Sequence, residues 1–320
     1  MSFYHLPVLL KECLDGLNIR PDGAYLDCTL GGAGHSSEIL KRLTTGRLIG
    51  IDRDADAIEA AAARLAAVGS PAAFTALRGN FHDAPTLLRD AGFTDGLNGI
   101  LIDLGVSSHQ LDVRERGFSY HDDAPLDMRM DQSQALSARD IVNAWSEDEL
   151  TRILRDYGEE KWARQIARVI CDRRKAAPIE RTSQLVDMVD AAIPKKFRQG
   201  DGSHPARRTF QALRIAVNDE LEPLESALRA LSELLSPGGR LCVITFHSLE
   251  DRIVKNTFRN LADPCTCPRS FPVCVCGKKP TVKLVTRKPI TASDAELAQN
   301  PRSRSASLRI VEKLPGREAD

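Results

Sequence analysis

The sequence predicts an α/β protein: a mostly parallel, seven-stranded sheet with helices on both faces, plus an inserted all-helical domain. Three observations carry that expectation. Short apolar strands alternate with helices through the first hundred residues, the pattern of a parallel sheet covered on both sides. Roughly a hundred residues then pass without a convincing strand. An apolar strand returns at residues 240–246, behind Ser236-Pro-Gly-Gly239, a composition that reads as a turn. The sheet domain is therefore discontinuous, residues 1–108 and 206–320, and residues 109–205 form the insertion.

Each element has a local reason. Residues 24–29 form a strand that runs into the glycine-rich turn Leu30-Gly-Gly-Ala-Gly-His35 and a helix over 36–43. A second strand at 47–52 precedes an alanine-rich helix over 55–68, and a third, poorer in β-branched residues, covers 72–77. Residues 99–104 are apolar on both faces, as a central parallel strand requires. In the insertion a polar segment, 107–131, leads into helices with visible signals. Ser146-Glu-Asp-Glu149 is a capping box opening a helix that stops near Gly158. Trp162, Ile166, Val169 and Ile170 line the next, which ends before Pro178, and Thr182 or Ser183 begins another, stopped by Pro194. Helix resumes near Arg207 with Phe210, Leu213, Val217 and Leu221 in register. Segments 282–286 and 307–312 are extended and suit a terminal antiparallel hairpin, and 200–203 reads as a loop.

Composition narrows the function. The 320 residues carry 44 Lys+Arg against 44 Asp+Glu, yet 161–215 hold 13 basic and 5 acidic side chains and 265–320 hold 11 and 5. Two basic blocks in an otherwise acidic chain suit a nucleic-acid binder with a non-basic catalytic body, or simply solvated helical faces. No apolar run approaches the roughly 20 residues a membrane-spanning helix needs. The N-terminus lacks a basic region followed by an apolar core, so a cytoplasmic protein with reduced thiols is expected.

The strand ends point to a cofactor. Gly32-x-Gly34-x-x-Ser37 misses the third glycine of a dinucleotide fingerprint, and no lysine in the turn supports a phosphate-binding loop. Asp27 ends the first strand, where a carboxylate repels a pyrophosphate but suits the ammonium group of S-adenosylmethionine. Asp52, at the tip of the second strand, is placed to accept from ribose hydroxyls. Phe81, within Asn80-Phe-His-Asp83, is placed against an adenine face, and Asp103 ends the fourth strand. Taken singly, each is as readily a turn cap or a core residue; at successive strand tips they match an adenosylmethionine cradle.

Several strings then resemble a known family. Tyr4-His-Leu-Pro-Val-Leu-Leu10, Asp27-Cys-Thr-Leu-Gly-Gly-Ala-Gly-His35 and Gly99-Ile-Leu-Ile-Asp-Leu-Gly-Val-Ser-Ser-His-Gln110 are similar to the ribosomal RNA small subunit methyltransferase H family. So are Arg116-Gly-Phe-Ser-Tyr120, Pro125-Leu-Asp-Met-Arg-Met-Asp131, Arg208-Thr-Phe-Gln-Ala-Leu-Arg214, Phe246-His-Ser-Leu-Glu-Asp-Arg252 and Asn300-Pro-Arg-Ser-Arg-Ser305, in collinear order along nearly the whole chain. The resemblance implies a Rossmann-like class I methyltransferase fold. It also implies S-adenosylmethionine-dependent N4-methylation of the decoding-region cytidine of 16S rRNA, position 1402 in the usual numbering. It implies cofactor contacts at Ala33, Gly34, His35, Asp52, Phe81, Asp103 and Gln110. The expected partner is 16S rRNA, within the small subunit or a late precursor.

Methyl transfer to an exocyclic amine needs acceptors for its N–H groups, because its lone pair is delocalised into the ring. Other amino-methyltransferases use an Asp/Asn/Ser-Pro-Pro-aromatic turn there, and Asp103-Leu-Gly-Val-Ser-Ser108 lacks it. Asp103, Ser107 and His247 are therefore the catalytic candidates, with a helix cap as the alternative for Ser107 and a structural histidine as the alternative for His247. Phosphate contacts are expected from Arg173, Arg174, Lys175, Lys195, Lys196, Arg198, Arg207 and Arg208, and from Lys278, Lys279, Arg302 and Arg304. Asp127, Arg129 and Asp131 line a cleft or form an internal ion-pair network. Cys265-Thr-Cys267 and Cys274-Val-Cys276 offer four thiols, but zinc ribbons use wider gaps within each pair, so no metal is expected. A non-catalytic ribosome-assembly factor and a nicotinamide-dependent oxidoreductase are the competing classes.

Overall fold

Strands β1 (Ala24–Asp27), β2 (Arg47–Asp52), β3 (Ala73–Arg78), β4 (Leu97–Asp103), β5 (Leu235–Thr245), β6 (Val282–Leu284) and β7 (Ser307–Lys313) build one sheet in the order β3-β2-β1-β4-β5-β7-β6. The computed structural model describes residues 6–197, 204–268 and 270–316. Pairs β1–β2, β1–β4, β2–β3 and β4–β5 are parallel, whereas β7 runs antiparallel to both β5 and β6. The expected terminal hairpin is present, with the last strand, not β6, seated against β5.

Alternation along the strands divides the core in two. Tyr25, Leu48, Leu101 and Ile244 belong to one apolar cluster, and their chain neighbours Leu26, Ile49, Ile100 and Val243 to another. Successive side chains of a strand point to opposite faces, so this pattern places a helical layer on each side. Helices α1 (Leu10–Leu17), α2 (Gly34–Leu40), α3 (Ala55–Ala66) and α4 (Ala84–Asp90) accompany the first half of the sheet. Asp54 caps α3 by accepting from the Asp56 N–H at 3.2 Å.

The expected turn at 236–239 is a correction: those residues lie inside β5, as an irregularity in its pairing with β4. Leu97 pairs with Leu235, and Gly99 with Arg240. Gly238 sits at φ +80°, a backbone that glycine adopts without steric penalty.

The chain divides into two compact units, residues 1–105 with 221–320, and residues 106–220. The second unit contains α5 (Ser108–Asp112), α6 (Ala138–Ala144), α7 (Glu147–Asp156), α8 (Ala163–Arg173), α9 (Thr182–Ala192) and α10 (Arg207–Asn218). Its boundary differs from the expected 109–205. Phe210, Leu213 and Val217 of α10 join Ile141, Leu150, Ile153 and Ile166 in the insertion's own core, and an apolar helical stripe does not announce in sequence which core it will enter. Ser146 and Glu149 form the expected capping box of α7, with the Ser146 hydroxyl accepting from the Glu149 N–H at 3.2 Å. Gly158 follows α7 for a packing reason, since a Cβ there would lie 2.7 Å from the carbonyl oxygens of Leu154 and Arg208.

Within this unit the segment around Met128 is held by buried polar groups. Met128 has φ +63° and is fully buried, a conformation that persists only when its surroundings impose it. Asn218 accepts from the Met130 N–H and donates to the Met128 carbonyl, both at 2.8 Å. Arg116 donates to the carbonyls of Arg129 and Met130 at 2.9 Å.

After the insertion, α11 (Leu224–Glu233), α12 (Ser248–Ala262) and α13 (Asp294–Gln299) complete the first unit. Among the described residues, no helix is long and apolar enough to cross a membrane.

Candidate functional site

The turn after β1 is tied to its neighbouring strands by a chain of hydrogen bonds. Asp27 is buried; its carboxylate accepts from the Ser36 hydroxyl at 2.7 Å and from the Thr29 N–H at 3.1 Å. The Thr29 hydroxyl oxygen in turn accepts from the Asp103 N–H at 2.7 Å. Asp52 accepts from the Gly31 N–H at 2.7 Å and the Asp54 N–H at 2.9 Å. Arg64 donates to the Gly32 carbonyl at 2.8 Å. Gly31 and Ala33 both hold positive φ, +47° and +55°. Burial raises Asp27 above the usual carboxylate range despite its hydrogen bonds, and raises Asp52 to about 6. Asp27 thus has both oxygens engaged in shaping the turn.

Gly34 has a different neighbour from the one its glycine identity suggests. A Cβ at this position would lie 2.6 Å from Cγ of Pro7, so the missing side chain admits the N-terminal segment. That segment is anchored twice more: His35 Nε2 lies 2.9 Å from the Val8 carbonyl, and Glu296 accepts from the Leu9 N–H at 2.7 Å. The family string at residues 4–10 thereby has a physical account from Leu6 onward; Tyr4 and His5 lie outside the described residues.

Asp103 is the side chain with chemistry left over. Its Oδ2 is 4.0 Å from His35 Nδ1, and its Oδ1 is sealed from solvent with no hydrogen-bond partner among the described residues, although 27% of the side chain is exposed. Burial, then the negative charges of Asp27 and Glu250, push its pKa up to about 8. Burial likewise holds His35 neutral, its pKa lowered to about 4 against a smaller opposing effect of the Val8 carbonyl. With Nε2–H donating to Val8, Nδ1 is the lone-pair nitrogen facing Asp103. A half-sealed carboxylate surrounded by other carboxylates is a place where a positive charge is stabilised. Sequence reasoning missed Glu250, which is 1% exposed and stands one helical turn into α12.

Phe81 is 6% exposed and packs in the core cluster that includes Ile49 and Ile102, at the start of a short 3-10 turn capped by Asn80. His82 stacks edge-on against it at 4.3 Å, with Nε2 buried and without a partner among the described residues. Burial, helped by the charge of Arg53, lowers its pKa to about 4. His82 is a second candidate that reading the sequence passed over; its signal was adjacency to Phe81.

His247, a catalytic candidate from the sequence, stands at a helix end with its Nε2 buried and without a hydrogen-bond partner among the described residues. It is the N-cap residue of α12, in a capping box with Glu250, whose Oε2 accepts from the Phe246 N–H at 2.8 Å. His247 Nε2 approaches Glu250 Oε1 to 3.1 Å, off the hydrogen-bonding direction. Ser107 and Gln110 belong to the second unit and form the capping box of α5: the Ser107 hydroxyl accepts from the Gln110 N–H at 3.2 Å, and the Gln110 side chain accepts from the Ser107 N–H at 3.0 Å. Asp127 and Arg129 are a chelated ion pair at 2.7 Å. Also in this unit, Tyr120 and His204 stack at 4.8 Å with planes 24° apart.

Of the expected phosphate contacts, Arg174 donates to the Val142 carbonyl, Arg208 to that of Glu159, and Lys175 pairs with Asp172. Arg173, Lys195, Lys196, Arg207, Lys278, Lys279, Arg302 and Arg304 are exposed. Arg198 and the loop expected at 200–203 lie outside the described residues.

Comparison with known proteins gives a family. Residues 2–314 match the MraW methylase family. The chain is 56% identical to "Ribosomal RNA small subunit methyltransferase H" of Symbiobacterium thermophilum over 99% of each chain. It is 55% identical to the protein of the same name from Heliobacterium modesticaldum, covering 98% of this chain and all of that one. It is 53% identical to that from Clostridioides difficile, again over 98% of this chain and all of the relative.

Proposed function

This chain belongs to the MraW methylase family, and from that premise we propose that it transfers a methyl group from S-adenosylmethionine to N4 of a cytidine in the decoding region of 16S rRNA. The observation that carries the reading is Asp103 Oδ1, buried and without a hydrogen-bond partner among the described residues, with the charges of Asp27 and Glu250 acting on it. That environment fits a cationic nucleoside and opposes a pyrophosphate, which disfavours the nicotinamide reading. Asp52 suits the ribose hydroxyls, since its oxygens retain acceptor capacity beyond their two backbone bonds. Phe81 supports the adenine, and the Ala33–Gly34–His35 backbone borders the ligand, with Asp27 holding that backbone in shape.

S-adenosylmethionine, when bound, supplies the methyl group on a positively charged sulfur. Asp103 accepts an N–H of the cytosine amine and takes up the proton that the nitrogen sheds once methylated. Beside the positive charge of the bound cofactor, Asp103 gives up the proton it otherwise holds and is a carboxylate able to accept. Loss of that charge on methyl transfer restores its raised proton affinity. Neutral His35 adds no competing charge beside Asp103. Ser107 and His247 hold helix ends and leave the chemistry to Asp103. Exposed cations of both basic blocks grip phosphates of the folded RNA, whose target base must be unstacked to react. The substrate is the small subunit or a late precursor, where the decoding region is folded.

The test is direct. Methylated cytidines are mapped after incubating naked 16S rRNA and small subunits with the protein and S-adenosylmethionine. One N4-methylcytidine in the decoding region, favoured in subunits and lost with Asp103→Asn, is expected. Adenosylmethionine binding without any methylated cytidine, or unchanged rates in Asp103→Asn, would refute the assignment, and tight RNA binding without cofactor binding would favour an assembly factor.

A further inference from the structure

Residues 263–281, between α12 and β6, form no helix or strand among the described residues. A stretch of that length rarely keeps one shape unless something holds it. Its apolar side chains do not: Phe271, Val273 and Val275 are 50%, 70% and 72% exposed. Four sulfurs converge there instead. Cys274 Sγ lies 3.5 Å from Cys265, 3.8 Å from Cys267 and 3.5 Å from Cys276, and Cys276 is 3.9 Å from Cys265. All four lie within 4.8 Å of one another.

We propose that Cys265, Cys267, Cys274 and Cys276 bind one zinc ion as a closed, four-thiolate structural site that holds this loop in shape. Zinc–thiolate bonds of about 2.3 Å in a tetrahedron put the sulfurs about 3.8 Å apart, close to the four separations found. A disulfide brings two sulfurs to roughly 2 Å, and none of these contacts is that short. A four-iron cluster spreads its cysteines around a larger cube, so a single ion fits better.

Local geometry explains why one-residue gaps suffice. The single residue between the cysteines of each pair does not keep their sulfurs apart, since all four lie within 4.8 Å of one another. The two pairs meet across a contact in which the Phe271 N–H donates to the Pro268 carbonyl at 3.0 Å. The Val275 N–H donates to Cys267 Sγ at 3.3 Å, the kind of outer contact that fixes a ligating sulfur. Gly277, at φ +66° immediately after Cys276, lets the chain leave the site. Spacing alone argued against a metal because it counts residues, whereas the ion meets sulfurs. Lys278 and Lys279, two and three residues past the last thiol and exposed, are thereby held at a fixed place beside the site. Cys13, Cys28, Cys171 and Cys242 are buried elsewhere and act as internal controls.

The experiment uses the full chain purified under reducing conditions without chelator. Metal analysis and native mass spectrometry should find one zinc per chain. Removing it and adding Co²⁺ should produce the visible absorption of tetrahedral cobalt thiolate. A Cys267→Ser/Cys274→Ser variant should lose the zinc and the cobalt spectrum and be cleaved by protease within 263–281 at least roughly tenfold faster, while adenosylmethionine binding persists and certifies the fold. A second variant, Cys171→Ser, should retain the metal. Reduced protein that gives no cobalt spectrum, zinc content unchanged in the double variant, iron in place of zinc, or two disulfides in the freshly purified chain would each overturn the assignment. None of these readouts depends on methylation.

Discussion

Nδ1 of His35 lies 4.0 Å from Oδ2 of Asp103, while Nε2 of the same ring is engaged 2.9 Å away by the Val8 carbonyl. The ring therefore offers Asp103 a lone pair, not a positive charge. Asp103, raised to about 8 by burial and by the charges of Asp27 and Glu250, retains its proton at neutral pH.

A cationic ligand beside Asp103 lowers its pKa and expels that proton. Adenosylmethionine affinity should therefore climb with pH between about 6 and 8, approaching tenfold per unit, and level off above 8. Calorimetry in buffers of different ionisation enthalpy should register close to one proton released at pH 7. Affinity that is flat across this window, with no proton release, would remove Asp103 from the cofactor's charge.

Asp103→Asn should separate stability from function. The folded pKa, about 8, exceeds the reference 3.8, so the folded chain binds a proton that the unfolded chain releases between those values. This group's contribution is fully present below pH 4 and is lost as pH rises toward 8. The variant should match the parent in thermal midpoint near pH 4, exceed it near pH 8, and methylate roughly 100-fold or more slowly. A variant less stable than the parent at pH 8 would contradict the buried-charge account.

Gly34→Ala places a methyl where Pro7 already sits. Overpacking of this kind typically costs about 1–3 kcal/mol. Pro7→Ala removes the clashing Cγ, so the double variant should recover part of the loss. Urea titrations of the two single variants and the double variant give the coupling directly, expected at about 1 kcal/mol or more. Strict additivity would mean that the N-terminal segment does not pack on Gly34 in solution.

His247→Asn preserves a side chain that can cap α12, whereas His247→Ala removes it. The alanine variant should lose about 0.5–2 kcal/mol of stability, and the asparagine variant should keep most of both stability and turnover. Single-turnover rates carry the decision: a large fall in the asparagine variant at full cofactor occupancy would return His247 to the chemistry.

Much of the first unit was legible along the chain. Short apolar runs at 24–29, 47–52 and 99–104, each ending at a polar or glycine-rich turn, mark strands buried on both faces, a signal carried by neighbours along the chain. Acidic residues at the strand ends, Asp27, Asp52 and Asp103, marked the carboxyl edge for the same local reason. The Ser146 cap was readable because a cap involves residues only three apart, whereas at Ser107 the sequence offered a catalytic role with a cap as the alternative.

What tertiary structure alone decided involves partners distant in sequence. Pro7 meets Gly34, Glu250 bears on Asp103, β7 enters between β5 and β6, and α10 joins the insertion's core. Four thiols split between two short pairs come within 4.8 Å of one another only in the folded chain. Amino-acid order determined the elements and the chemistry available at their ends. Packing decided which of those groups face each other, because burial and charge act through distance in space and not along the chain.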